Sequence, residues 1–466
     1  MSPLYDTMKL KLTKKQRGWL IGLIVALEIL LVALVIGGVV GGALSEGVVG
    51  VIVTVLLLLI PVLLVALLLT VLYGGKKTAK GEAEEQKSPV AMPVTSAADP
   101  LPEGESRFCM LTRIEEGRRG GNRAHGSRYN SAVTLASFCE DFRNYAASEL
   151  KLYYSIDDIR RFVAGMAVSK ILILQGMSGT GKTSLAHAFG EFVDNRSTVI
   201  PVQPMWKERT DLIGYYNEFT KRFNETILLE KMYEANGSED IYVTVLDEMN
   251  IARVEYYFAE FPSLLELPNP EERYLTVVSD VWESDPAGLV DGRIKLPVNM
   301  WFIGTANNDD STFAISDKVY DRAMVLDLDR KSEKFSAPKT RPVAIRAEHF
   351  QALGEAATRE YAVSSRNRGR LKLLDEYLME HFHITFGNRI MKQIDTYVPV
   401  FIACGGDELV ALDDILAKKV LRKLETQNPI YLRASADGLL SYLDELFGEG
   451  RMASCRATVE RIKRNA

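Results

Sequence analysis

A chain of 466 residues is longer than one hydrophobic core usually organises, so two or more domains are expected. Its formal net charge of -5 leaves no global basic field to favour nucleic acid or anionic lipid, and any polyanion site has to be local. The four cysteines, Cys109, Cys139, Cys404 and Cys455, are scattered, with no C-x-x-C pair and no histidine cluster nearby, which points to free thiols in a reducing compartment and away from zinc.

In chain order, a basic tail over residues 1–18 comes first, with Lys9, Lys11, Lys14, Lys15 and Arg17. Two apolar runs follow within residues 19–73. The first, Trp19 to Val40, carries one charge, Glu28; the second, Val48 to Tyr73, carries none and has Pro61 in its middle. About 20 helical residues cross a hydrocarbon core, so each run is long enough to span, and the connector "GGALSEG" suits a tight external turn. A secretory signal would be shorter and would end at a cleavage site. Lysines and an arginine before the first run and Lys76, Lys77 and Lys80 after the second put both ends, and all that follows, on the cytoplasmic side. Glu28 has no basic partner in either run, which suggests a protonated or partner-facing carboxyl.

Residues 74–106 are rich in Pro, Gly, Ala, Ser and charge without apolar period, the composition of a flexible linker. Over residues 107–154 the spacing predicts a basic loop followed by an amphipathic helix. The loop carries Arg107, Arg113, Arg118, Arg119, Arg123 and Arg128 against Glu115 and Glu116, and without interleaved aromatics it reads as solvated, with phosphate contact as the alternative. Leu135, Phe138, Phe142, Tyr145 and Leu150 recur at helical spacing, and "SIDD" from Ser155 offers a capping box to the next helix.

The run "KILIL" then delivers "QGMSGTGKTS", in which Gly176, Gly181, Lys182 and Thr183 satisfy G-x-x-x-x-G-K-[ST], between a predicted strand and a predicted helix. Glycines let the backbone approach phosphates closely, so that the N–H groups of Gly176, Ser178, Gly179, Thr180, Gly181, Lys182, Thr183 and Ser184 can converge on negative charge. Lys182 is suited to the β and γ phosphates and Thr183 to magnesium. Further on, "IYVTVLDEMN" ends a strand in two adjacent acids: Asp247 can hold the metal and Glu248 can act as general base towards water. With "STVIPVQ", "VNMWFIGTAN" and "AMVLDLD" there are five strands interleaved with helices, the pattern of a parallel α/β sheet over residues 155–330. Ligands sit at the carboxyl ends of such strands, where Asn307 is placed to orient water. Residues 331–466 turn polar and then helical, a connector and a lid.

Taken together, "GMSGTGKTS", "PVQPMWKERTDLIGYYN", "LDEMNIARVEYYFAEFPSLLE", "FIGTANNDDSTFAISDKVYDRA" and "FGNRI" resemble the dynein-related, McrB-like branch of the AAA+ ATPases, in matching order from about Ser155 to Val400. The resemblance implies that Gly176 to Ser184 is Walker A, Asp247 and Glu248 Walker B and Asn307 the first sensor. It further implies that Arg322 is an arginine finger for a neighbouring subunit, and that Arg389 is the second sensor on the helical lid. Asp317 departs from the family, where relatives often carry an apolar residue or proline. The stretch "SDVWESDPAGLVDGRIKLPVN" resembles the family's hairpin before the first sensor, a point of substrate contact, with Asp291-Gly292 as its turn.

The expectation is therefore a membrane-anchored AAA+ ATPase with two spans in the lipid bilayer and both termini and the ATPase domain cytoplasmic. It would use ATP and magnesium, usually as a hexameric ring, and remodel a protein partner. Two alternatives stay open. One is a motor directed at nucleic acid and working with a nuclease, using GTP or ATP, although no N-K-x-D guanine-reading motif occurs. The other is a scaffold gated by nucleotide without turnover.

Overall fold

The structure is a computed structural model and describes residues 105–120, 128–307, 312–329 and 332–466. The two apolar runs, Glu28 and the linker up to Gly104 lie outside the described residues. Among the described residues no helix is long and apolar enough to cross a membrane.

The sheet forms from the five runs read as strands. In chain order the strands are β1 Ile171–Gly176, β2 Thr198–Pro201, β3 Gly214–Asn217, β4 Arg222–Glu225, β5 Tyr242–Asp247, β6 Tyr274–Thr276, β7 Leu289–Val290, β8 Arg293–Lys295, β9 Met300–Asn307 and β10 Met324–Asp327. The main sheet has the order β10-β1-β9-β5-β2 and every pairing in it is parallel. Its central strands are covered on both faces, which is why they read as unbroken apolar runs. Period two still operates: Leu172 and Leu174 enter the core beneath helices Leu135–Ser148, Ile156–Val168 and Lys182–Phe192, while Ile171 and Ile173 enter the core on the other side with Phe258, Phe261 and Phe302. In the first core Phe138, Phe142, Phe162, Phe189 and Phe192 form a continuous aromatic cluster, with ring centroids 5.1 to 6.2 Å apart.

The cap expected at Ser155 on the approach to β1 is present in altered form, and a second, at Thr134, precedes it. Thr134 caps Leu135–Ser148, accepting from the Ser137 N–H at 3.2 Å, and the Ser137 hydroxyl returns the bond. Ser155 accepts from the Asp158 N–H at 3.1 Å, but the Asp158 carboxylate pairs with Arg161 at 3.1 Å instead of reaching back, so the box is half made. The hairpin β7–β8 turns at Asp291 and Gly292, with φ of 51° and 71°, the positive pair a two-residue turn of this kind requires. A second hairpin, β3–β4, places Phe219 at its tip, 93% exposed.

The basic stretch from Arg107 is not a solvated loop throughout. Cys109–Gly120 is a helix, with Phe108 and Leu111 fully buried. Glu225 at the end of β4 accepts the Met110 and Leu111 N–H groups at 2.8 and 2.9 Å, satisfying orphan donors of the first turn. Arg107 is 2% exposed, grips both oxygens of Asp285 at 2.9 and 2.8 Å, and lies over the Trp282 ring at 4.4 Å. Arg118 donates to the carbonyls of Tyr233 and Glu234, and Arg128 pairs with Asp240. Sequence spacing hid this because the partners are more than a hundred residues away along the chain.

Beyond β10 the chain is helical, as expected of a lid: Ala347–Glu360, Ser365–Phe382, Asn388–Ala403, Glu408–Lys419, Pro429–Phe447 and Ala453–Asn465. Asn388–Ala403 packs against Ile156–Val168, and Gln393 in its second turn donates to the Asp321 carbonyl at 3.1 Å, a placement that decides where Arg389 stands.

Candidate functional site

The carboxyl ends of β1, β5 and β9 meet at one edge of the sheet, and the residue register sets the site. Gly176 is in register with Asn307, and Leu246 with Gly304, so Asp247 comes beside Thr305. From Gly176 the chain leaves through a loop whose glycines at 176, 179 and 181 all have positive φ, 140°, 77° and 93°. At Gly176 no side chain fits: a Cβ there would stand 2.6 Å from the Leu328 carbonyl oxygen. Gly181 closes the loop as the N-cap of helix Lys182–Phe192 and offers no side-chain cap, so the amino end of the helix dipole faces the loop. Its carbonyl accepts from the Tyr154 hydroxyl at 3.0 Å, and burial pushes that phenol well above its ordinary range. Lys182 is 7% exposed and lies across the loop, its Nζ donating to the carbonyls of Gly176 at 3.0 Å and Met177 at 2.8 Å.

One carboxylate oxygen organises the acid side. Asp247 Oδ1 accepts from Thr183 Oγ1 at 2.7 Å and from Thr305 Oγ1 at 2.8 Å. Thr305, 2% exposed, accepts in turn from the Glu248 N–H at 2.8 Å. Glu248 is therefore tied at its backbone while its side chain is exposed, and it holds φ 52°, ψ 46°, a left-handed conformation that a glutamate adopts only under constraint. Asn250, 4% exposed, donates to the carbonyls of Asn307 at 2.9 Å and Phe313 at 3.3 Å, and its own carbonyl accepts from the Phe313 N–H at 2.8 Å. It thus pins the end of β9 to the acid loop.

Thr305 and Asn250 went unnoticed in the sequence, although both lie inside the quoted motifs. The available signal was a polar residue inside the otherwise apolar end of β9, two positions before Asn307, and an asparagine in the turn two positions after Glu248. A buried polar group at a strand's carboxyl end needs a partner, and the acids are the nearest candidates.

The structure brings together Gly176 to Ser184, Asp247, Glu248 and Asn307. It does not bring Arg322 or Arg389 to them. The register of Leu172 with Met324 puts Arg322 at the opposite edge of the sheet from Gly176, roughly 20 Å away along the strands at about 3.3 Å per residue. There its Nε binds Glu266 Oε2 at 2.6 Å and its Nη1 donates to the Lys318 carbonyl at 3.1 Å. Arg389 binds the other oxygen of the same carboxylate at 2.9 Å. Arg389, which the motif resemblance marks as the second sensor, thus stands at the start of its helix beside Arg322, sharing Glu266 with it.

The loop fits a polyphosphate and the acid side fits magnesium. A hydroxyl and a carboxylate already within hydrogen-bonding distance, both hard oxygen donors, suit that ion better than any softer one. With a glycine-rich loop closed by a helix amino end, a cationic side chain and an exposed carboxylate following an adjoining strand, the edge can bind a nucleoside triphosphate and direct water at it.

Residues 171–323, from the start of β1 to just past Arg322, match the AAA domain of the dynein-related subfamily. No curated protein matches the chain significantly. Among solved structures, a "putative ATPase" from Cytophaga hutchinsonii ATCC 33406 is 12% identical, with a TM-score of 0.42, covering 72% of this chain and 95% of the other. A full-length MCM homolog from Methanopyrus kandleri is 11% identical, with a TM-score of 0.33, covering 58% and 55%. NtrX from Brucella abortus is 12% identical, with a TM-score of 0.25, covering 70% of each. At these scores none of the three bears on what this chain does.

Proposed function

We propose that this chain, built on an AAA domain of the dynein-related subfamily that makes it an ATP-hydrolysing enzyme, is held in a membrane by the apolar runs within residues 19–73 and works as a ring that remodels a protein partner. The observation that carries the enzymatic part is the shared oxygen of Asp247, bonded at once to Thr183 of the phosphate loop and to Thr305 below Glu248.

In this reading the loop amides and Lys182 bind the β and γ phosphates, and Thr183 with Asp247 would hold magnesium. Magnesium, when bound, would neutralise charge on the phosphates. Glu248 takes a proton from the attacking water, and Asn307 orients that water from the neighbouring strand. The backbone bond from Glu248 to Thr305 keeps the base from swinging away between turnovers.

Arg322 stands too far from its own loop to touch a bound triphosphate, which supports a role towards the nucleotide of an adjacent subunit. An arginine supplied that way is worth about 10³ to 10⁵ in rate. Turnover should therefore need assembly. Among the described residues Arg107, Arg118 and Arg128 make long-range internal contacts and Arg119 pairs with Glu115, which leaves a poor surface for nucleic acid and favours a protein partner.

The test is ATP turnover by the full chain in lipid nanodiscs as protein concentration is varied. Specific activity should rise with concentration and vanish in Arg322→Ala. Activity independent of concentration and retained in that variant would refute the ring. Extraction of the wild-type chain from membranes by alkaline carbonate would refute the anchor. Affinity capture with Glu248→Gln, which should bind ATP without consuming it, would identify the partner.

A further inference from the structure

The turn that carries Arg322 is gripped from the lid at nearly every residue. Lys419, at the end of helix Glu408–Lys419, is 4% exposed; its ammonium donates to the Tyr320 carbonyl at 2.7 Å and to the Ala323 carbonyl, the two residues that bracket Asp321 and Arg322. Gln393 donates to the Asp321 carbonyl at 3.1 Å. Arg422 pairs with Asp317 at 2.6 Å and lies over the Tyr320 ring at 4.0 Å. On the other side Glu266, which follows helix Glu260–Leu265, holds the back edge of the Arg322 guanidinium through Nε and, through its second oxygen, Arg389.

We propose that Lys419 and Glu266 are positioning residues for Arg322: the ammonium fixes the backbone on either side of it and the carboxylate fixes its guanidinium, so that lid and finger move as one body. The proposal rests on the reading of Arg322 as a group acting on a neighbouring subunit's nucleotide. Physically, a lysine buried to this degree has few reasons to stay. Its desolvation is offset by two carbonyls that belong to this turn and by the charge of Asp321 within it, so the lid commits an ammonium to fixing four residues. Burial is also the largest cause of the fall in its pKa to about 7; Asp321 pulls the other way, while Arg422, Lys423 and Arg389 add to the fall. The grip is then charge-assisted below that pH and weaker above it. Through the lid, a change of lid angle at one subunit's nucleotide would displace the finger offered to the next.

The experiment compares wild type, Lys419→Met, Lys419→Arg, Glu266→Gln and Arg322→Ala as full-length chains in nanodiscs. It measures kcat and KM for ATP and the affinity of a fluorescent ATP analogue for the phosphate loop. Lys419→Met and Glu266→Gln should lose on the order of 100-fold in kcat, the scale of a misplacement of about 1 Å, with KM and analogue affinity unchanged. Lys419→Arg should recover most of that loss. Wild-type kcat in both variants, with Arg322→Ala inactive, overturns the positioning roles while leaving the ring intact. Wild-type kcat in Arg322→Ala overturns both, since there is then no finger to position. If Lys419→Met fails to bind the analogue, the wild-type pH profile decides: kcat falling several-fold as pH rises through about 7, at constant analogue affinity, supports the proposal, and a flat profile overturns it.

Discussion

Replacing Thr305 by valine keeps shape and removes one hydroxyl that makes two bonds, the donation to Asp247 at 2.8 Å and the acceptance from the Glu248 N–H at 2.8 Å. The site is 2% exposed, so water cannot take the hydroxyl's place at the Glu248 amide. A buried donor left without an acceptor costs about 1–3 kcal/mol, and near 2 kcal/mol the melting temperature of a domain of this size should fall by about 4–8 °C. The kinetic effect should exceed the thermal one. Glu248 sits in a left-handed backbone conformation, and with its anchor gone that strain can relax and carry the carboxylate off line, for a loss of roughly 10- to 100-fold in kcat. ATP analogue affinity should change little, because the phosphate loop is untouched. Thr305→Ser, which restores the hydroxyl, should recover both quantities. Calorimetry and steady-state turnover on the three proteins are sufficient; wild-type kcat in Thr305→Val would show that the Glu248 backbone is held by something else.

Gly176→Ala should abolish nucleotide binding or folding, because its Cβ would press to 2.6 Å from the Leu328 carbonyl at a φ of 140°; a filter-binding assay with normal ATP uptake would contradict this. Asp285→Ala should destabilise the chain by about 3–5 kcal/mol by stranding buried Arg107, and denaturant unfolding reads that directly. Stability should rise with pH above neutrality through Lys419. Its folded pKa is about 7, below that of a free lysine near 10.4, so between those values the unfolded chain binds the extra proton and the folded state gains as pH rises, by up to ~5 kcal/mol over the whole interval. Chemical denaturation of wild type and Lys419→Met between pH 7 and about 9 should show wild type gaining on the variant as pH rises, whereas parallel curves would refute the depressed value.

The sheet was legible because five apolar runs, each bounded by glycine, polar turns or helical spacing, allow little else, and the structure places all five side by side. The phosphate loop and both acids were legible for a similar reason: their chemistry fixes short spacing along the chain. Long-range partners were not. Arg107 reads as a solvated cation until Asp285 closes on it across more than 170 residues, and the helix at Cys109–Gly120 gets its N-terminal acceptor from Glu225, far downstream. Arg389 shows the same limit at the site itself. Its motif resembles a sensor on the lid, but its sharing of Glu266 with Arg322 is set by how helix Asn388–Ala403 packs. Thr305 and Asn250 are harder to read for a different reason: their positions mark them as buried polar groups in need of partners, but the residue types alone do not say that the partner is the acid loop.

The most direct test of the account is calorimetric titration of ATP with magnesium into the full-length Glu248→Gln chain, alongside Lys182→Ala. Saturable binding that disappears without the lysine is the predicted result. A folded chain that takes up no nucleotide at millimolar concentration, or binds it equally well without Lys182, would contradict the central claim.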